Sequence, residues 1–226
     1  MSGSSIAPDP PVASDGLGIV LIAAGQGMRF GARPKCLLEL EGEALIRRQI
    51  TNLLALQPAN MVVVLGHYAD LIEPAIAEMP LQIVRQTAIT FQQADSVRLG
   101  LGLMPSQCTH TMICPCDMPA LTVDDYRQLL SMYSLRPSSV HFVGPWVNGI
   151  PGNPVVFDSH FRHELLTRDT AIGSGKWRHQ NRAGVLQWHT NNTHYCLDID
   201  TDADRCAFES QFQQRLRWPD YLEGSE

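Results

Sequence analysis

The chain has 226 residues, of which 44% are hydrophobic and 18% charged, a balance that suits one folded domain with a sizeable core and excludes an intrinsically disordered chain. The formal net charge of −6 leaves no general basic surface for nucleic acid or anionic lipid, so any site for an anion must gather its positive charge locally. No apolar run approaches the roughly 18 residues of a membrane-spanning helix.

In chain order, residues 1–16 carry Ser, Pro, Gly and Asp without the basic and apolar regions of a secretory signal, and they read as a flexible arm. GIVLIAA at 18–24 is a continuous apolar run of the kind buried on both faces of a parallel sheet. A helix is expected at 43–56, a second buried strand at 61–66 (MVVVLG), a helix at 69–78, a strand at 81–85 and a helix at 94–103. A fourth strand in HTMICPCDMP ends at Asp117, and Thr122 with Asp124 and Asp125 opens the next helix as an N-cap with an acidic first turn. Beyond it, strands are expected at 139–143, 153–157 and 194–197, and helices at 159–167 and 203–216. Strand and helix alternate at a spacing that predicts a doubly wound, mostly parallel α/β sheet in a single domain, 17–226. In such sheets ligands bind beyond the carboxyl ends of the strands, which is where Gly25 and Asp117 both fall.

The segment LIAAGQGMRFGARPK carries the chain out of the first strand. Gly25 and Gly27 free the backbone to approach a ligand, and successive N–H groups in such a loop form a nest for phosphate. Arg29 and Lys35 add the local cations, Arg as a bidentate grip and Lys as a mobile point charge. The spacing Gly25, Gly27, Gly31 departs from the dinucleotide fingerprint, and Gly175-Lys176 followed by Trp177 is not a P-loop. Without the two cations the glycines are equally explained as a tight turn.

Two carboxylate groups stand far apart in the chain. Asp117 follows a buried strand, with Pro119 blocking its extension; Asp198, Asp200, Asp202 and Asp204 crowd LDIDTDAD. Either alone reads as a turn or cap, with Thr201 and Asp204 as a capping pair. Together Asp117 and Asp200 are the expected Mg²⁺ ligands, Asp198 the second choice, because a hard cation takes oxygen donors and draws charge from phosphate.

These segments carry a resemblance. IAAGQGMRFG with Lys35, LLEL and Gly42 resembles the first motif of the NTP-transferase superfamily; CDMP, GNPVVF at 152–157 and DIDTDAD at 198–204 resemble the molybdopterin nucleotidyltransferases over about 18–216. The resemblance implies a Rossmann-like, GT-A-like fold and transfer of a nucleoside monophosphate from CTP or GTP to molybdopterin with loss of pyrophosphate. It places Ala23, Ala24 and Gly25 beside base and sugar, and Arg29 and Lys35 on the phosphates. Ala24, where the guanylyl branch carries Gly, points to CTP. Ser96 in FQQADSVRLG aligns with a base-contacting Ser, although the accompanying Gly is replaced near Gln92 and Gln93; as a residue it also reads as a helix N-cap. Asn153 and Pro154 fall on the acceptor side, or form a turn into a strand. Asp169 matches an acceptor motif whose surroundings, 168–178, diverge.

The expected partners are thus an NTP, a phosphorylated small molecule and, at one remove, a molybdenum hydroxylase or its chaperone, with neither nucleic acid nor membrane. Six cysteines without framework spacing read as reduced thiols in a cytoplasmic protein; Cys114-x-Cys116 with His110 lacks the second pair of a zinc site, and His160 and His163 read as a solvated helix face. The rivals are another acceptor, a sugar or alcohol phosphate, or a nucleotide- or cofactor-binding chaperone that has lost turnover.

Overall fold

The computed structural model describes residues 15–88, 91–167 and 181–223. The chain begins with β1 (Leu17–Ala23), then two short strands, β2 (Glu39–Leu40) and β3 (Glu43–Ala44), and α1 (Leu45–Leu54). Next come β4 (Asn60–Leu65), α2 (Ala69–Ile72), β5 (Gln82–Arg85), α3 (Gln93–Gly102), β6 (His110–Pro115) and α4 (Val123–Ser134). The second half holds β7 (Phe142–Val147), β8 (Ile150–Pro151), β9 (Val155–Asp158), α5 (Ser159–Thr167) and β10 (Val185–His189). The chain closes with α6 (Asp202–Phe212), β11 (Leu216–Arg217) and α7 (Asp220–Glu223).

All seven residues of β1 are buried, as they must be in a strand with parallel neighbours on both sides and helices on both faces. The main sheet runs β10-β7-β9-β6-β1-β4-β5, with β8 pairing to β7. β9 is antiparallel to β6 and β7; the pairs β1/β4, β1/β6, β4/β5 and β7/β10 are parallel. Six strands therefore point their carboxyl ends at one edge, the mostly parallel single domain that the alternation predicts. A small sheet, β11-β2-β3, sits apart.

The period of two divides β1 between two cores. Leu17, Ile19 and Leu21 meet Ile46 and Ile50 of α1 and Leu129 of α4, while Val20 and Ile22 meet Leu101 of α3 and Phe161 of α5. Each such side chain contributes about 1.5–3 kcal/mol by leaving water. Gly100 lets α3 sit close to the sheet: a Cβ there would fall 2.5 Å from Val20 Cγ1 and 2.9 Å from Val64 Cγ2.

Several expected elements are corrected. Residues 194–197 form no strand: 194–196 lie in a 3-10 turn (Thr193–Cys196) that Leu197 caps, because the Asn192 side chain accepts a hydrogen bond from His194 N at 3.0 Å and closes the chain locally. The strand is instead β10, whose signal is weak because Val185, Leu186 and Trp188 are only half-buried and Gln187 and His189 are exposed at the sheet edge. The helix expected at 69–78 stops at Ile72 and gives way to a 3-10 turn at Glu73–Ala75, where Pro74 has no N–H to continue it. The last helix ends at Phe212, not 216, and Leu216–Arg217 pairs with β2. β6 ends at Pro115, two residues before Asp117. The strand expected at 139–143 lies further on, as β7. Among the described residues no helix is long and apolar enough to cross a membrane. Most of the expected N-terminal arm, 1–14, lies outside them.

Candidate active site

A cavity of about 430 Å³ opens beyond the carboxyl ends of β1, β4 and β6, between the loop after β1 and the start of α3. The loop owes its shape to Gly27, whose φ of +60° is left-handed and whose missing Cβ would fall 2.1 Å from the Arg33 carbonyl. Phe30 N and Ala32 N donate to Gly27 O at 2.8 and 3.0 Å. Phe30 is buried against Trp218, ring centroids 5.3 Å apart. Tyr68 pins the loop from the other side, its hydroxyl bonding Gln26 O at 2.9 Å and also Ala32 O. Ala23, Ala24, Gly25, Gly27, Arg29 and Lys35 all line the cavity. A Cβ on Gly25 would meet nothing within 4 Å, so that stretch of backbone is open to a ligand.

The cations and carboxylates converge at one end. Lys35 Nζ donates to Asp117 Oδ2 at 2.7 Å and to Asp200 Oδ1 at 2.6 Å, and Arg29 pairs with Asp200 Oδ2. A backbone bond draws the two carboxylates together: Ile199 N donates to Asp117 O at 2.9 Å, tying the α6 approach to the end of β6. Asp200 is then held by the capping box of α6, its N–H donating to Asp204 Oδ2 at 3.1 Å beside the Thr201 cap. Burial works against the charge of Lys35, yet Asp117 and Asp200 outweigh it and its pKa is raised; burial likewise opposes Asp200, and Lys35 with Arg29 holds its carboxyl below the usual range.

Among the described residues no three His, Cys, Asp or Glu side chains gather around one point; Asp117 and Asp200 are two carboxylates on the cavity wall that could hold a hard divalent ion together with phosphate and water. Asp198 stands outside the cavity wall; partial burial, then the charge of Asp117 and Asp200, raises its pKa.

The other end is built from α3 and the residues after β4. Ser96 lines the cavity, fully buried, and among the described residues its hydroxyl has no hydrogen-bond partner. It is not the N-cap: Gln92 is, its N–H donating to Asp95 Oδ2 at 2.8 Å. Gln93, where a Gly was expected, also faces the cavity, as do His67 and Phe91, whose rings stack 4.7 Å apart. Gln26 Nε2 lies 2.9 Å from His67 Nε2, closing a chain from loop to helix. His67 escaped the sequence reading, although its place one residue past Gly66 at a strand end is the signal that singled out Asp117.

Asn153 and Pro154 do not line this cavity. The antiparallel register Ile113↔Val155 sets them at the same edge as Asp117, with Asn153 N bonded to Tyr195 O at 2.8 Å. Asp169 and the divergent 168–178 stretch lie outside the described residues. Cys114 is wholly buried in the core and burial pushes its thiol up; His110 stacks on Tyr133 at 5.1 Å. His160 faces His141, ring centroids 4.4 Å apart, on a half-open surface.

Comparison with known proteins gives the family and the fold. Residues 19–185 match the MobA-like NTP transferase domain. The bifunctional protein GlmU of Mycobacterium ulcerans (strain Agy99) is 30% identical over 129 residues, 54% of this chain and 26% of that protein, so the chain spans about a quarter of the length of the curated relatives it matches. A nucleotidyl transferase structure from Methanothermobacter superposes with a TM-score of 0.72 at 18% identity, covering 87% of this chain and 97% of that one. The 4-diphosphocytidyl-2C-methyl-D-erythritol synthase of Anaerococcus prevotii DSM 20548 gives 0.68 at 12% identity over 88% and 99%. Rv0371C of Mycobacterium tuberculosis H37Rv, in complex with manganese, gives 0.67 at 20% identity over 84% and 96%. With its Gly-rich loop, paired carboxylates and match over most of its length, the chain belongs to the MobA-like NTP transferase family.

Proposed function

We propose that the protein transfers CMP from CTP to the phosphate of molybdopterin and releases pyrophosphate. The observation that carries this reading is the convergence of Lys35, Arg29, Asp117 and Asp200 at one end of a cavity whose other end presents the Ser96 hydroxyl, without a partner among the described residues. The loop amides from Gly25 to Gly27, with Arg29, hold the β- and γ-phosphates and fix the leaving group. Lys35 neutralises charge gathering on the α-phosphate, and the acceptor phosphate attacks in line, so that the chain positions and stabilises and forms no covalent intermediate. Asp117 and Asp200 are the residues that would hold a divalent ion, which supplies charge neutralisation at the α-phosphate when bound; the manganese complex of the Rv0371C structure supports that expectation. Ser96, Gln93 and His67 face the base. Ala24 favours CTP by resemblance to the cytidylyl branch. An enzyme consuming NTP works where NTP is made, in the cytoplasm.

The test is pyrophosphate release across the four NTPs with Mg²⁺ and, in turn, molybdopterin, a sugar phosphate and an alcohol phosphate. Release with CTP and molybdopterin alone is expected. Release with another acceptor only would replace molybdopterin, and tight nucleotide binding without release from any acceptor would leave a binding protein.

A further inference from the structure

A second concavity of about 380 Å³ lies at the ends of β7 and β10, lined by Trp146, Asn148, Gly149, His189, Thr190 and Asn191. The sheet register relates it to the active site. Ile113 of β6 pairs with Val155, and Val156 pairs with Val143, so Gly144 stands level with Ile113. Two residues on, Trp146 stands level with Pro115, two residues before Asp117, and the parallel pair His189↔Trp146 brings His189 to the same height. Strands lie about 4.8 Å apart, so two to three spacings put this concavity about 10–14 Å along the same edge from the end of β6 that leads to Asp117. Asn153 and Pro154 lie between the two.

The turn between β7 and β8 explains the backbone of Asn148 and Gly149, at φ 50° and 83°. It makes no use of the Asn148 side chain. Among the described residues the side chains of Asn148, His189 and Asn191 form no hydrogen bond, while Thr190 Oγ1 accepts from Asn192 N at 3.2 Å. Three unclaimed polar side chains thus surround an indole wall. Among the described residues no Lys or Arg lines the concavity, in contrast to the phosphate end of the main cavity, and the side chains that do line it suit an uncharged group. Amide groups read paired donor and acceptor edges, and the indole offers a face for stacking.

Resting on the proposed transferase activity, we infer that this concavity is the distal subsite for the acceptor. The acceptor is a molecule whose phosphate lies at Asp117 and whose far end, about 10 Å away, is a neutral planar ring bearing hydrogen-bond donors and acceptors. A three-carbon alcohol phosphate is too short to bridge the two, so acceptor length becomes part of specificity.

Calorimetric titration reads this without turnover, with molybdopterin and glycerol 3-phosphate as probes. The wild-type chain binds molybdopterin the tighter of the two. The double substitution His189→Ala, Asn191→Ala weakens molybdopterin binding at least tenfold and leaves glycerol 3-phosphate and CTP binding unchanged. Asn191→Asp, which keeps the side-chain volume and adds charge, gives a loss in the same direction. Molybdopterin binding unchanged within twofold in these variants, or no tighter than glycerol 3-phosphate in the wild type, would overturn the subsite. Intact, variant-sensitive molybdopterin binding without pyrophosphate release would instead refute the transferase reading and leave the subsite standing.

Discussion

Asp117 and Asp200 share one ammonium, Lys35, at hydrogen-bond distance. Asp117→Asn and Asp200→Asn each remove one negative charge and keep the shape, so turnover should fall on the order of 10²-fold or more, the usual cost of losing a group that stabilises developing charge. The melting curve should move little. Equal pyrophosphate release by either variant and the wild type would remove that aspartate from the machinery. Ser96 makes an opposite pair of demands. Its buried hydroxyl has no partner among the described residues, so Ser96→Ala should leave stability unchanged or slightly raised, while KM for the nucleotide rises about tenfold for one lost hydrogen bond. A purely structural Ser96 would lose stability and keep its KM. The structure brings Lys35 to both carboxylates; at this scale the loop and both aspartates were legible only as a set, because a turn explains the glycines and a cap explains either aspartate, while Arg29 and Lys35 beside the glycines have no such use. His67 was not, since a single exposed His after a strand looks like any surface residue until its ring is seen against Phe91.

α4 and α6 begin with the same device, a Thr cap three residues before an Asp that answers it. Removing either cap costs about 1 kcal/mol, so Thr122→Ala and Thr201→Ala should both lower the denaturation midpoint. Only Thr201 adjoins Asp200, whose own N–H is held by Asp204. Thr201→Ala should therefore also depress kcat, whereas Thr122→Ala keeps it; steady-state assays beside urea melts separate the two, and equal kcat in both variants would show that Asp200 does not depend on its cap. The caps were legible from sequence, as were the long buried strands of the first half. The second half was less so, because β9 runs antiparallel and β10 is half-buried at an edge. There the apolar run shortens, and local hydrogen bonds such as Asn192 to His194 decide the conformation.

The two halves of the molecule meet at a buried carboxylate. Asp125 of α4 accepts from Asn192 Nδ2 at 2.6 Å and from Thr122 N at 2.8 Å, lies 3.0 Å from His194 Nδ1, and its carbonyl accepts from the Tyr195 hydroxyl at 2.7 Å. The turn that docks here leads within a few residues to Asp200, so this contact carries the active-site strap onto the main sheet. Burial alone would raise the Asp125 pKa; the bonds from His194, Thr122 and Asn192 outweigh it and hold the carboxyl below its ordinary value of 3.8. A depressed folded pKa means that the stabilisation is fully present above the unfolded value and is lost as pH falls through the folded one. The wild type should therefore hold its stability from pH 7 down to about 5 and lose the Asp125 share below about pH 4. Asp125→Asn should be less stable at pH 7 by about 1.5–3 kcal/mol, the worth of hydrogen bonds to a charged group, and should lose less on acidification. Urea melts of both proteins from pH 7 to 3 read the difference directly: the two stability curves should converge as pH falls, and parallel curves would show that Asp125 is not the titrating joint between the halves.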